Sequence, residues 1–271
     1  MSNSNSKGTA LVTGASAGIG AIYADRLAKR GFDLILVARE AGRLQALAAR
    51  LAAETGRAIK VLPADLGNSA ELAKVEAVLR QDPSIRLLLN NAGVASVAPL
   101  LDASVDQMQA MIALNITALT RLSYAVAPAL VARGAGTIIN IASIVGIAPE
   151  LLNGVYGATK AYVIAFSQSL QHELSGKGIR VQAVLPGATA TDLWENAGLH
   201  YRNLPAGIVM AADAMVDAAL TGLDRGEAIT IPPLQDGEEW TRYEAARRTL
   251  AQHFGHSEPA PRYRVDLSAA A

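Results

Sequence analysis

Thr13-Gly14-Ala15-Ser16-Ala17-Gly18-Ile19-Gly20 is the stretch whose reading decides the fold. It follows residues 9–12, a short apolar run of buried-strand character. It leads into residues 18–30, where Ile19, Ile22, Tyr23 and Leu27 recur at helical spacing. A glycine-rich turn between a strand and a helix suits a diphosphate. Gly14 permits the tight turn, Gly18 lets backbone approach the anion, and Gly20 permits close helix packing. The free N–H groups at the start of the helix then face the ligand. The spacing is Gly-x-x-x-Gly-x-Gly, and neither Gly-Lys-Ser nor Gly-Lys-Thr follows. It is therefore not the phosphate loop of nucleoside triphosphatases.

Outward from this turn, short apolar runs alternate with helical patterns. Residues 34–37, 59–63, 85–89, 137–142, 179–185 and 228–231 read as further strands. Residues 40–55, 69–79, 104–133, 156–174 and 211–220 read as helices, the 104–133 stretch as two helices or one bent one, with Pro128 near its end. Strands that are apolar throughout are buried on both faces, and helical crossovers make them parallel. The expected architecture is α/β: a single doubly wound domain with a seven-stranded parallel sheet flanked by helices. Its expected limits are 8–232, after a flexible 1–7. Residues 188–206, with Trp194, Leu199, Tyr201 and Leu204, form a small helical lobe over the site, and 233–271 a C-terminal extension. Within that extension residues 240–254 have helical character, residues 257–263 are irregular, and the last alanines are frayed. Arg242, Arg247, Arg248, Arg262 and Arg264 mark a solvated face with an interface role.

Composition excludes several chemistries. The 271 residues include no cysteine, which removes disulfides, thiolate catalysis and Cys-ligated metals. Formal net charge is zero, so there is no chain-wide electrostatic case for nucleic acid. His172, His200, His253 and His256 share no compact ligand spacing, and no metal is expected. The polar start lacks a signal-like apolar core, and no segment approaches eighteen clean apolar residues. The expectation is a cytoplasmic protein without a membrane segment.

Residues at the carboxyl ends of the strands point to a dinucleotide. Gly14, Ser16, Gly18, Ile19 and Gly20 form the diphosphate turn. Residue 38, where an acid would hold the ribose hydroxyls of NAD, is Ala, whereas Arg39 offers a fork for a phosphate. NADP(H) is therefore expected over NAD, with Arg43 as a weaker second phosphate candidate. Asp65 and Leu66 are placed for the adenine. Asn90 is expected to brace the turn after the fourth strand, while Asn91, Ala92 and Gly93 leave room for the cofactor. Pro186 and Gly187 turn the chain so that Thr189, or Thr191, meets the nicotinamide carboxamide or the diphosphate.

The chemistry is expected at Asn115, Ser143, Tyr156 and Lys160. Tyr156 and Lys160 lie four apart on one helix face. A phenol titrating near ~10 needs a cation beside it to exchange protons near neutrality, and Lys160 is expected to hold that pKa down. Ser143 would bond the substrate oxygen as Tyr156 delivers its proton, and Lys160 would also hold the nicotinamide ribose. Asn115 would interrupt the helix and hold a relay water.

Together, residues 13–20, Asp65, 90–93, Asn115, Ser143, Tyr156, Lys160, Pro186-Gly187 and Thr189 resemble the short-chain dehydrogenase/reductase family over about residues 7–231. The resemblance implies a Rossmann-like fold and a catalytic tetrad of Asn115, Ser143, Tyr156 and Lys160. It also implies a homodimer or homotetramer through the helices around 104–132 and 156–175. Residues 36–39 and 134–136 are similar to the bacterial carbonyl-reductase branch related to the D-alanine transfer operon reductases. The family's basic residue between the first two turn glycines is absent, since residue 17 is Ala, so NADP preference rests on Arg39. Ser143, Val145, Asn153, Tyr156 and Trp194 are the expected substrate contacts, for an apolar or aromatic ketone, aldehyde or alcohol. The implied activity is NADPH-dependent carbonyl reduction. The alternatives are NADP-dependent oxidation of an alcohol or hydroxy amino acid, and a non-catalytic NADPH-binding protein.

Overall fold

The computed structural model describes residues 6–152 and 154–263. The expectations at Asn153, at Arg264, at residues 1–5 and at the final alanines therefore lie outside the described residues. The chain divides into a unit ending at Pro233 and a second beginning at Leu234.

The first unit is a doubly wound α/β sandwich. Its strands are β1 (Thr9–Thr13), β2 (Asp33–Ala38), β3 (Ile59–Pro63), β4 (Ile85–Asn90), β5 (Gly136–Ile141), β6 (Ile179–Val184) and β7 (Ile229–Thr230). All pair parallel in the order β3-β2-β1-β4-β5-β6-β7. Helices α1 (Gly18–Lys29), α2 (Ala41–Thr55), α3 (Ser69–Gln81), α4 (Val105–Ile112), α5 (Leu119–Arg133), α6 (Gly154–Leu174), α7 (Leu193–Asn196) and α8 (Ala212–Asp224) complete it. Every residue of β1 is buried, as a central strand covered on both faces requires.

Two cores follow from this layering. Tyr23 and Leu27 of α1, Leu44 and Leu51 of α2, and Met215 and Leu220 of α8 pack on one sheet face. Val75 and Leu79 of α3, Leu122 and Val126 of α5, and Leu170 of α6 pack on the other. Each fully buried aliphatic side chain contributes roughly 1.5–3 kcal/mol relative to exposure. The order of winding reverses between β1 and β4, so the loops after these two strands diverge and open a crevice at the carboxyl edge.

The 104–133 stretch is one helical run whose middle, Ala113–Ala118, widens into a π-helical turn between α4 and α5. Pro128 lies inside α5 without ending it. By length and mean composition Val105–Arg133 is the one described helix that could cross a membrane, but Asp106, Asn115 and Arg121 interrupt it, so it holds no run of eighteen clean apolar residues. Its Leu119, Leu122, Val126 and Leu130 are buried in the cores, as in a core helix of a globular domain. The 188–206 segment holds α7 and a 3-10 turn at Tyr201–Asn203, and its base pairs with Met210 through a parallel bridge at Thr189.

The second unit contains α9 (Gly237–Ala251), capped by Asp236, whose side chain accepts from Glu238 N at 2.9 Å. Its arginines pair within the helix: Arg242 with Glu238, and Arg247 and Arg248 with Glu244. The expected basic face is thus a salt-bridged solvated one.

Candidate active site

The glycine turn is clamped from across the crevice. Thr13 Oγ1 donates to Leu89 O at 3.0 Å and accepts from Asn91 N at 2.9 Å and Ala92 N at 3.1 Å. Asn91 Nδ2 donates to Thr13 O at 3.0 Å and Gly14 O at 3.2 Å. This corrects the assignment of Asn90 as the brace. β4 turns Asn90 inward, to 4% exposure, and leaves Asn91 facing the turn. Thr13 was missed as a partner; its signal was a polar residue closing an apolar strand.

The clamp explains two glycines. A Cβ at Gly14 would lie 2.7 Å from Asn91 Nδ2, and one at Gly20 would lie 2.2 Å from Gly14 O. Gly14 also has φ +65°, the left-handed region. At the start of α1, Ala17 provides no side-chain cap and the first turn carries no acid. The N–H groups there remain available to an anion, with Ser16 and Ile19 in the same turn.

Arg39 stands exposed just past β2 and makes no hydrogen bond or ion pair with the described residues. Glu40 instead pairs with Arg43 at 2.9 Å, which engages the weaker phosphate candidate. Asp65 accepts from Gly67 N at 2.9 Å, beside a buried Leu66. The Asp65 N–H donates to Glu71 Oε2, a contact the sequence reading missed.

Gly93 brings three elements together. A Cβ there would lie 3.1 Å from Asn115 Oδ1 and 3.8 Å from Lys160 Nζ. Asn115 sits in the π turn, where the helical pattern is interrupted as expected. Both of its amide hydrogens are engaged: Nδ2 donates to Val94 O at 2.9 Å and Thr159 Oγ1 at 3.1 Å, and Oδ1 accepts from Val94 N at 3.0 Å. The second lone pair of Oδ1 is what the side chain retains for the expected relay water.

Ser143 follows β5. Its Oγ donates to Pro186 O at 3.3 Å and is hydrogen-bonded to Tyr156. Lys160 Nζ donates to Ile141 O at 2.9 Å and lies 5.7 Å from the centre of the Tyr156 ring. Both side chains are buried, and burial disfavours charge on each. It pushes the Tyr156 phenol up to about 12, opposed by the Ser143 bond, and the Lys160 ammonium down to about 8. The expected lowering of the tyrosine is therefore not present in the protein alone, because desolvation outweighs the Ser143 hydrogen bond.

Tyr156 packs in an apolar cluster with Met108, Met111 and Val145, flanked by Val94, Ala95 and Leu152. The two methionines were not anticipated as packing partners of Tyr156, although their spacing of three on the Asn115 helix was the available signal. Trp194, expected at the substrate, uses its indole N–H on Thr189 O at 2.9 Å and so pins the lobe to its own base. Thr189 Oγ1 donates to Gly187 O at 3.1 Å, whereas Thr191 lies against Gly18 of the turn. Of the two threonines, Thr191 is the one beside the diphosphate turn.

The sequence profile described as short chain dehydrogenase matches residues 8–202. The chain belongs to this family. It is an oxidoreductase of the short-chain dehydrogenase type, similar to a short-chain dehydrogenase from Sphingobium yanoikuyae solved in complex with NADPH. That likeness has 51% identity and a TM-score of 0.92, and covers 95% of this chain and 100% of the other. Residues 1–233 alone are too few for that coverage, so it reaches into the second unit. A bulky-bulky ketone specific alcohol dehydrogenase from Comamonas testosteroni is 46% identical, with a TM-score of 0.88 over 95% of this chain and 99% of its own. A serine 3-dehydrogenase of Agrobacterium fabrum is 36% identical over 187 residues, 68% of this chain and 73% of its own.

Proposed function

We propose that this protein is an NADP(H)-dependent carbonyl reductase, working as an alcohol dehydrogenase in reverse. The observation that carries the reading is the buried Tyr156, bonded to Ser143 and adjacent to Lys160. The uncapped start of α1 and Arg39, which has no partner among the described residues, support the cofactor, as does the NADPH complex of the Sphingobium relative.

Gly14, Ser16, Gly18, Ile19 and Gly20 would hold the diphosphate, with Thr191 or Thr189 beside it. Arg39 would hold the 2′-phosphate. Asp65 and Leu66 would meet the adenine, Asn91, Ala92 and Gly93 the ribose side, and Pro186 and Gly187 the nicotinamide. When bound, the nicotinamide supplies or accepts the hydride. Ser143 Oγ donates to the substrate oxygen, and the neutral Tyr156 holds the proton that this oxygen receives. Lys160 adds positive charge below the ring. Asn115 fixes the π turn against Val94 and Thr159 rather than carrying the proton on its amide.

The apolar packing of Met108, Met111, Val145 and Leu152 around Tyr156 favours an apolar or bulky carbonyl, consistent with the ketone named for the Comamonas relative. The serine 3-dehydrogenase relative keeps oxidation of a hydroxy amino acid as a second reading. Self-association is assigned to α5 and α6, where Tyr162 and Tyr124 stack on Phe166 and Tyr124 is 68% exposed. Light scattering would read a dimer or tetramer, and a monomer would remove this assignment. We assign the protein to the cytoplasm.

The test is a panel of aryl and alkyl ketones, aldehydes and serine-like alcohols, assayed with both NADP(H) and NAD(H). Tyr156→Phe should lose roughly 10²–10⁴-fold in kcat. An unchanged rate would remove Tyr156 from the reaction. Tight NADPH binding without any turnover would select the non-catalytic alternative.

A further inference from the structure

Four buried polar side chains form a continuous chain through the middle of the fold. Asn90 Nδ2 donates to Asn140 Oδ1 at 2.9 Å and to Ser123 Oγ at 3.1 Å. Asn140 Nδ2 donates to Ser167 Oγ at 2.9 Å. Ser123 and Ser167 donate onward to the main-chain carbonyls of Leu119 and Val163 in their own helices. None of the four is more than 4% exposed.

Each member lies on an element that carries part of the site. Asn90 ends β4, directly before Asn91, Ala92 and Gly93. Ser123 is in the first turns of α5, just past the π turn of Asn115. Asn140 is on β5, close before Ser143. Ser167 is on α6, which bears Tyr156 and Lys160. The chain thus joins the four elements on which Gly93, Asn115, Ser143 and Tyr156 converge.

Apolar packing is non-directional and tolerates small sliding of a helix over a sheet. A hydrogen bond weakens steeply out of line. Polar groups in a core also cost stability unless every one is satisfied, and Asn90 Oδ1 makes no hydrogen bond with the described residues. An apolar core of the same shape would serve stability at least comparably.

We propose that Ser123, Asn90, Asn140 and Ser167 are positioning residues that hold the π turn, β4, β5 and α6 in the register the reaction requires. The kinetic part of its test rests on the functional reading above; the exchange part does not.

Ser167→Ala and Ser123→Ala each cut one end of the chain while leaving the helix backbone bonds in place. Full-length variants and wild type would be compared by NADPH oxidation with an aryl ketone, by thermal unfolding, and by hydrogen–deuterium exchange. For Ser167→Ala we expect kcat to fall roughly 10-fold, with KM for NADPH within about twofold. The alkaline limb of its kcat–pH profile should shift, because the Lys160–Ile141 bond joins the same two elements as Asn140–Ser167. Ser167→Thr, which keeps the hydroxyl, should restore kcat. Exchange should rise in residues 156–163 for Ser167→Ala and in 113–118 for Ser123→Ala, but not in β1 to β3. Should Ser167→Ala fail to fold, Ser123→Ala decides. Unchanged exchange in those segments would overturn the proposal. So would a uniform rise across the sheet with a matching fall in Tm, which would reduce the chain to a fold-stabilising role. A wild type that reduces no carbonyl would sink the functional reading, and exchange would still judge the chain.

Discussion

Lys160 Nζ donates to the main-chain carbonyl of Ile141 at 2.9 Å, tying α6 to the end of β5 next to Ser143. The bond satisfies one donor of a buried ammonium and holds it 5.7 Å from the Tyr156 ring centre. A cation in this position is costly to bury, and the cost has a pH signature.

Lys160 is lowered to about 8 by burial, so between there and its ordinary value the unfolded chain binds more protons than the folded one. Its contribution to stability therefore rises with pH through that window. Tyr156, raised to about 12, acts oppositely: above its ordinary value the folded state holds the proton longer, and its contribution falls as pH rises. Lys160→Met should thus lose ground in Tm relative to wild type as pH rises from about 7 to about 10. Thermal unfolding across that range measures it, and a constant difference would mean that Lys160 titrates normally.

Arg39→Ala should raise KM for NADPH by roughly 10–100-fold and leave KM for NADH within about twofold. The lost contact is one charge-assisted pair with a phosphate, of roughly 1.5–3 kcal/mol, at about 1.4 kcal/mol per tenfold. Initial rates with the two cofactors check this. An equal loss on both would place Arg39 elsewhere.

Gly20→Ala sets a methyl 2.2 Å from Gly14 O, which is backbone and has no rotamer to yield. Destabilisation of about 1–3 kcal/mol is expected, with weakened NADPH binding because the turn must open. Denaturant unfolding and NADPH fluorescence titration read the two effects separately.

Tyr23 is wholly buried on α1, and its hydroxyl makes no hydrogen bond with the described residues; burial also pushes its phenol above the ordinary range. Tyr23→Phe removes an unsatisfied polar atom and keeps the ring. Stability should be unchanged or rise by up to about 1 kcal/mol, with kcat unaffected. A clear loss of Tm would reveal a partner for that hydroxyl.

Much of the site was legible because its residues follow strands in a fixed order. The turn at residues 13–20 was read from glycines between a strand pattern and a helix pattern, and the structure places it at the reversal of winding beside Asn91 and Ala92. The error at Asn90 has a simple origin. Neighbouring strand residues face opposite ways, and nothing local says which of two adjacent asparagines faces in. Trp194 was read as a substrate contact, and the structure adds that its indole N–H bonds a carbonyl five residues back. Thr191 and Thr189 could be ranked only after the lobe was folded against Gly18.

The sequence by itself determined the element types, the parallel sheet and which side chains are candidates for the reaction. These depend on periodicity, on glycines where no side chain fits, and on which groups can donate protons. Only the tertiary structure decided the direction of the Tyr156 and Lys160 shifts, the partner of each asparagine, and the fastening of the lobe. Those depend on burial and on hydrogen bonds between residues far apart in the chain, and desolvation at Tyr156 is a property of everything packed around it.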